Sequence, residues 1–371
     1  MRSGVKFVAL SCGIIGLPMV GKTTFFNLLT QSQKEVSSFF SSKTATNTAS
    51  VIVPDHRLDW LPRLYYPRKH VPALIEVIDV PGLVQGASQG QGGGNQFLAS
   101  VREADALVHI LRSFRSDQVL HIAGANNLIR DLETVMMELL FADLQLIENR
   151  IERIFSSRKR TKEHEIELAA LEKCKELLEA EKNLAQAGLL DAERAALRHV
   201  AFLTSKPMIL VINVDEEQLG LQDYPQRDKV MAYAAARDLP VMEICAKAEM
   251  EIGQMSQEDR AVFMAELGIT EPGIEKLAKA MYRQLGLISF LTVGEEEVRA
   301  WSIPKGTNAR SAAGKIHSDL ERGFIRAEVV RFEDLQRLGS MAKVKEKGLM
   351  RLEGKEYVVQ DGDIITFRFN V

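Results

Sequence analysis

The sequence predicts an α/β fold in three parts: a domain with a central β-sheet, a helical hairpin inserted into it, and a small β-grasp-like unit at the C-terminus. Three observations predict it. Apolar strand-like runs end in loops of distinctive composition, beginning with the glycine loop at Gly16. Two long segments with helical spacing flank a basic turn around residue 158. From Leu287 onward, short alternating segments surround one helix.

A chain of 371 residues is long enough for two or three domains with real cores. Its 46% hydrophobic and 26% charged content is ordinary for a globular protein. The net charge of -3 gives no global attraction to nucleic acid or membrane, so any polyanion binding needs a local patch. Cys12, Cys174 and Cys245 are odd in number and far apart, which predicts a reducing compartment and thiols that act as small apolar residues. No apolar run is long enough to span a bilayer. The first apolar segment leads straight into the glycine loop instead of forming a secretory pattern. A cytoplasmic protein with no membrane partner is expected.

The run Lys6 to Ile15 reads as a buried strand. It leads into Gly16-Leu17-Pro18-Met19-Val20-Gly21-Lys22-Thr23, which fits G-x-x-x-x-G-K-[ST]. Phe25, Phe26, Leu28 and Leu29 then read as the packed side of a helix. A loop of this kind wraps backbone N–H groups around the phosphates of a nucleotide. Met19, Val20, Gly21, Lys22, Thr23 and Thr24 are therefore candidate nucleotide contacts. Lys22 reaches the β- and γ-phosphates, and the Thr23 hydroxyl ligates Mg2+.

A second strand, Ala73 to Asp79, ends in Asp79-Val80-Pro81-Gly82. Asp79 is placed to hold Mg2+ through water, and the Gly82 N–H to bond the γ-phosphate. The glycine-dense stretch Leu83 to Asn95 reads as a switch loop that orders on that phosphate. Many small GTPases carry a water-orienting glutamine directly after D-x-x-G. Leu83 cannot orient water, so help with hydrolysis must come from elsewhere.

The strand Met208 to Asn213 ends in Asn213-Val214-Asp215-Glu216. A GTPase normally shows N-K-x-D here, its aspartate accepting two hydrogen bonds from guanine. In this chain Val214 replaces the lysine, and the fourth position is Glu216, one methylene longer. Adenine lacks both guanine donors, and an unpaired buried carboxylate is costly, so such a change alters base choice. The reading favours ATP, with GTP bound less well; Asp215 competes with Glu216 if the register slips by one. The strand Pro240 to Ile244 leads to Cys245-Ala246-Lys247, which matches the S-A-K loop. Cys245 and Ala246 would touch the base through backbone.

Apolar residues recur at Leu128, Leu132, Val135, Leu139, Ala142 and Leu146, with a second seam through Met136, Leu140, Ile147, Ile151 and Ile154. Glu163 to Ala187 repeats the pattern at Ile166, Ala170, Cys174, Leu177 and Leu184, and Gly188 marks its stop. The basic segment Ser156 to Lys162 is the tip of this antiparallel hairpin. It is either a solvated turn or a contact for RNA or the ribosome. At the C-terminus, strands at Leu287 to Val293 and Val298 to Ile303 precede a helix at Ala309 to Leu320 and a last strand from Asp363 to Val371. The expected boundaries are 1–127 and 200–286 for the nucleotide domain, 128–199 for the hairpin, and 287–371 for the C-terminal unit.

Together these motifs resemble the YchF family of Obg-like ATPases, a branch of the P-loop NTPases with a Ras-like nucleotide domain and a C-terminal TGS domain. The resemblance covers essentially the whole chain. It rests on the phosphate loop, Asp79 to Ser88, Gly94-Asn95-Gln96-Phe97-Leu98, Ala106 to Phe114, Asn213 to Glu216 and Ala246 to Ile252. It implies ATP binding and hydrolysis with Mg2+, and a ribosome or ribosomal RNA contact through the hairpin and TGS domain. The family usually has asparagine where this chain has Met19. In related GTPases that asparagine helps hold potassium, which a thioether does poorly, so potassium-stimulated hydrolysis is not expected. Lys43 to Thr48 occupies the place of the family's threonine-containing loop; Thr44 or Thr46 is the second Mg2+ ligand, with Thr44 preferred. His121 stands where the family carries a histidine proposed to assist hydrolysis, and it is the candidate catalytic residue beside Lys22. A structural role for His121 stays open, whereas His109 is read as a core histidine. The function expected is a slow ATP-driven switch acting on the ribosome. A nucleotide-sensing scaffold and a conventional GTPase are the alternatives.

Overall fold

The computed structural model describes residues 10–31, 48–83, 94–115, 127–157, 159–182 and 184–370. The first strands are β1 (Ser11–Ile15), β2 (Thr48–Val53), β3 (Lys69–Val71) and β4 (Ala73–Asp79). Next come β5 (Ala106–Arg112), β6 (Met208–Asn213) and β7 (Val241–Ile244). All but β3 form one sheet in the order β2-β4-β1-β5-β6-β7. Only β2 runs antiparallel to its neighbour. β1, β5 and β6 are buried along their whole length, which is why they read as unbroken apolar runs. β1, β4 and β6 all end on the same side of the sheet. In parallel α/β sheets, ligands bind beyond that end.

The remaining strands are β8 (Leu287–Thr292), β9 (Glu297–Pro304), β10 (Phe324–Arg331), β11 (Arg351–Glu353) and β12 (Asp363–Phe369). They form a second sheet in the order β11-β10-β12-β8-β9-β3. The helix Ala309–Ile316 packs Ala309 and Ala312 against Phe290, Ile303, Val329 and Ile365 on one face. This is the β-grasp-like arrangement. The helix is shorter than the sequence suggests. The chain turns extended at His317, whose ring accepts the Asp319 N–H at 3.2 Å and so caps a separate short helix, Ser318–Arg322.

β3 is the unexpected member. It lies within the stretch assigned to the nucleotide domain, yet it pairs in parallel with Glu297 to Arg299 of β9. The chain between β2 and β3 therefore crosses from one sheet to the other. The crossing is packed as well as hydrogen-bonded. Trp60 meets the ring of Phe332 edge-on at 5.6 Å, and His56 does so at 5.9 Å. Leu58, Leu61, Leu291, Val298 and Phe332 belong to one continuous core with Phe25 and Leu29 of the phosphate-loop helix. Arg57 closes the junction. It grips Asp55 with two 2.8 Å bonds and reaches Asp361 at 2.8 Å. Asp361 in turn accepts the Ser289 N–H at 2.8 Å.

The hairpin's outgoing helix, Leu128–Ser156, is capped by Asn127 and serves two cores. Leu128, Leu132, Val135, Leu139 and Ala142 pack on the nucleotide sheet. Ile147 and Ile154 pack on the returning helix, Lys162–Glu179, with Ala170, Cys174 and Leu178. Asp143 sits at the changeover. Its carboxylate takes the N–H groups of Leu203 and Thr204 at 2.9 and 2.8 Å, pinning the chain that returns to β6. The returning helix ends at Glu179, not at Ala187 as its spacing suggested. Glu181 turns left-handed (φ 52°), and the Lys182 N–H bonds back to Leu177. A separate 3₁₀ turn, Leu184–Ala187, then buries Leu184 beside Leu197 and Phe202. Gly188 (φ 56°) comes after that turn rather than after the helix.

Replacing the cation at the junction, Arg57→Met, would leave two carboxylates facing each other with nothing between them. The change should cost about 2–4 kcal/mol. Urea unfolding monitored by fluorescence is suited to this, because of the chain's two tryptophans Trp60 packs at the junction and Trp301 in the C-terminal core. An unchanged midpoint would show that the bridge contributes nothing.

Candidate functional site

The phosphate loop leaves β1 at Gly16, whose φ is 146°. A Cβ there would lie 2.5 Å from the Ile110 carbonyl oxygen, so the loop can pass over β5 only as glycine. Gly21 (φ 103°) is equally constrained, because a Cβ would lie 2.6 Å from the Asn213 amide nitrogen. Met19 is exposed and left-handed at φ 64°, a conformation that asparagine adopts far more readily. Val20 is buried and anchors the loop.

Lys22 opens the next helix, Lys22–Gln31. Its ammonium folds back to the Leu17 carbonyl at 2.8 Å. Burial lowers its pKa to about 8, against the opposing pull of Asp79. Thr23 donates from Oγ1 to Asp79 Oδ2 at 3.3 Å. Burial raises the Asp79 pKa, while the Thr23 hydrogen bond and the Lys22 charge oppose the rise. Gly82 lies against Pro18 and the Lys22 ammonium, and Leu83 is held by an N–H bond to the Gly16 carbonyl at 3.3 Å. The structure thus gathers Lys22, Thr23, Asp79 and Gly82 at one place. Thr24 is the next residue of the same helix, partly exposed. Thr44, Thr46 and His121 lie outside the described residues. Two hard oxygen donors 3.3 Å apart, at Thr23 and Asp79, suit a small divalent cation.

His109 stands on β5 of the same sheet and is fully buried. Among the described residues neither of its ring nitrogens has a hydrogen-bond partner. Burial, with the Lys22 charge adding to it, pulls its pKa down to about 3, which fits a neutral core histidine.

The base-side residues are joined to the phosphate loop by a single side chain. Asn213 donates from Nδ2 to the Val20 carbonyl at 3.0 Å and accepts the Ala246 N–H on Oδ1 at 3.2 Å. Its own carbonyl takes the N–H groups of Ser113 and Phe114. Val214 is buried, and its N–H bonds to the Ile244 carbonyl at 3.1 Å. Cys245 caps the helix Ala246–Gln254 with its sulfur.

Asp215 and Glu216 have different roles. Asp215 is the N-cap of the helix Glu216–Leu221, accepting the Gln218 N–H at 2.9 Å on one oxygen. Its other oxygen accepts the Arg115 N–H at 3.4 Å. Glu216 projects from the first turn and pairs with Lys247 at 2.8 Å. Lys247, whose pKa Glu216 raises, is a residue that sequence reasoning passed over, since only its backbone neighbourhood carried a motif. The cap, by contrast, had a readable signal in the Asp215-x-x-Gln218 spacing.

Asn213→Ala would leave the Val20 carbonyl and the Ala246 N–H buried and unpaired. We expect a loss of about 2–3 kcal/mol in stability and a nucleotide affinity weakened on the order of tenfold. Urea unfolding and titration with a fluorescent nucleotide would test both, and normal values in each would remove Asn213 from its linking role.

A family model described as 50S ribosome-binding GTPase matches residues 11–149. The YchF-GTPase C-terminal model, described as a protein of unknown function, matches residues 287–370. The ribosome-binding ATPase YchF of Bacillus subtilis is 44% identical, over 98% of this chain and 100% of that protein. The protein of the same name from Escherichia coli O157:H7 is 43% identical over the same shares. Obg-like ATPase 1 of Caenorhabditis elegans is 40% identical, over 97% of this chain and 92% of its own length. The solved structure of the Schizosaccharomyces pombe YchF GTPase superposes with a TM-score of 0.88 at 31% identity, covering 99% of this chain and 100% of that one.

Proposed function

Because the chain belongs to the YchF family, we propose that it is a nucleoside-triphosphate-hydrolysing switch that prefers ATP, accepts GTP less well, and acts on the ribosome. One observation carries the base preference. Both oxygens of Asp215 are taken by backbone N–H groups, and Glu216 is paired with Lys247. Guanine's two N–H donors would compete with the bonds that Asp215 already accepts and with the Lys247 ion pair of Glu216. Adenine asks for no such acceptor, so it loses nothing there.

Lys22 turns from the Leu17 carbonyl to the β- and γ-phosphates when nucleotide binds, keeping an ammonium donor at the end of a buried stem. The amides at the start of its helix and the Gly82 N–H add donors aimed at the same oxygens. Thr23 and Asp79 would hold Mg2+, with Thr44 as a further ligand. The ion would supply charge neutralisation on the phosphate oxygens. Leu83 is fully buried and contributes nothing to orienting water. We assign that task to His121. Turnover by the protein alone should be slow. The ribosome reading draws on the names of the relatives, and the hairpin and C-terminal unit are the surfaces proposed to meet it.

Two outcomes are expected. In paired titrations ATP should bind more tightly than GTP by roughly tenfold or more, and ribosomes should change the affinity for ATP. A GTP preference would overturn the base assignment, and no response to ribosomes would sink the ribosome-directed switch. In single-turnover assays His121→Ala should slow hydrolysis by about a hundredfold while ATP affinity stays unchanged. Equal rates in the two proteins would remove His121 from catalysis.

A further inference from the structure

Where the outgoing hairpin helix leaves the nucleotide sheet, it forms one wall of a cavity of about 400 Å3. The charged groups lining it are all basic. Arg102 comes from the last turn of the helix Gly94–Glu103, Arg150 and Arg153 from the outgoing helix, and His199 from the chain returning to β6. The amides of Gln145 and Asn149 complete its polar lining.

Two carboxylates are close, and both are occupied. Glu167 is bound by Arg150 and stands 3.7 Å from His199. Asp143 lies beneath, its oxygens filled by Leu203 and Thr204, with Arg102 attracting it through space. The guanidinium groups of Arg102 and Arg153 make no hydrogen bond or ion pair among the described residues. Both side chains are exposed at the cavity mouth. The net charge of the chain is negative, so this concentration of arginine is local and not a reflection of composition.

Basic character continues beyond the cavity. Phe155, half-exposed, lies five residues past Arg150, an axial rise of about 7.5 Å and roughly 140° around the helix, so it faces away from the cavity. Arg160 lies over its ring at 4.5 Å, and Lys159 and Lys162 are exposed beside it. A basic pocket with room for more than one phosphate, and with further cations along the hairpin, suits a phosphate polymer better than a single free ion.

We propose that the cavity at the root of the hairpin is a subsite for a backbone phosphate of single-stranded RNA, contacted by Arg102 and Arg153. The site's affinity for phosphate stands on its own charge. That the phosphate belongs to RNA rests on the ribosome-directed function proposed for the chain. A phosphate held there would tie the helix Gly94–Glu103 to the hairpin by charge, in addition to the apolar core the two elements share.

The test uses the full-length chain and a fluorescent single-stranded RNA, titrated across a series of KCl concentrations. The double variant Arg102→Gln, Arg153→Gln should lose about tenfold in affinity. The slope of log affinity against log salt should become shallower by about 1.4, the value for two lost contacts with a single strand. The charge-matched control Lys229→Gln, Arg283→Gln removes two exposed cations from the nucleotide domain, outside the hairpin and the C-terminal unit, and should leave both quantities unchanged. Nucleotide affinity should stay normal in both variants. Equal losses in the two variants, or no change in slope in the first, would overturn the subsite. Saturable binding of inorganic phosphate without RNA binding would overturn the RNA assignment. Co-sedimentation of wild type with ribosomes is read separately. If it fails while the RNA result holds, the ribosome reading falls and the subsite stands.

Discussion

One buried amide holds the nucleotide end of this protein together. Asn213 spans the gap between the phosphate loop and the Cys245-Ala246 turn, donating a hydrogen bond to one and accepting one from the other. Its position at the end of β6 is fixed by a strand buried on both faces. Gly21 must lack a side chain for that amide to fit, and the amide must be present for the Val20 carbonyl to be satisfied. The same residue sets the course of the chain beyond β6. With Asn213 locked, Asp215 falls at the start of a helix and caps it, and Glu216 is delivered to the surface beside Lys247. Loop geometry and base choice are thus consequences of one pair of hydrogen bonds in a dry setting, where leaving either partner unmet is expensive.

The phosphate end shows a different balance. Lys22 is buried enough to weaken its hold on its proton, and Asp79 is buried enough to strengthen its own. Each charge is costly without the other, and the Thr23 hydroxyl sits with them. An arrangement of this kind is poised for a ligand that brings both negative phosphate oxygens and a cation. Leu83 adds nothing polar, which separates gripping the nucleotide from cleaving it.

Most of the sheet was legible because its signals are local and redundant. β4 and β6 begin and end where their apolar runs do, and each run stops at a polar residue with a reason to be at a strand end. The hairpin was legible in its seams but not in its far boundary. The returning helix stops where burying Leu184 requires a turn, and a repeat of apolar residues cannot reveal that the chain has changed direction. β3 was not legible at all. Three residues, Lys69, His70 and Val71, carry no periodicity, and their partner lies more than two hundred residues away. At the base-reading site the motif located the loop correctly but left Asp215 and Glu216 in competition. The helix cap is what gives them different surroundings, and the Lys247 partner depends on the fold bringing two loops together.

The chain between β2 and β3 supplies an edge to both sheets, and this bears on how the protein could be divided or inherited. A fragment ending near residue 286 would look complete by its motifs. It would nonetheless leave Lys69 to Val71 as a bare strand edge and strip Trp60 of the ring it packs against. Such an edge is a template for pairing between molecules, so the fragment should be prone to self-association. The C-terminal unit is therefore no detachable cassette. Gaining, losing or exchanging it over evolutionary time would require matched changes in residues 54–71, deep inside what looks like a different module.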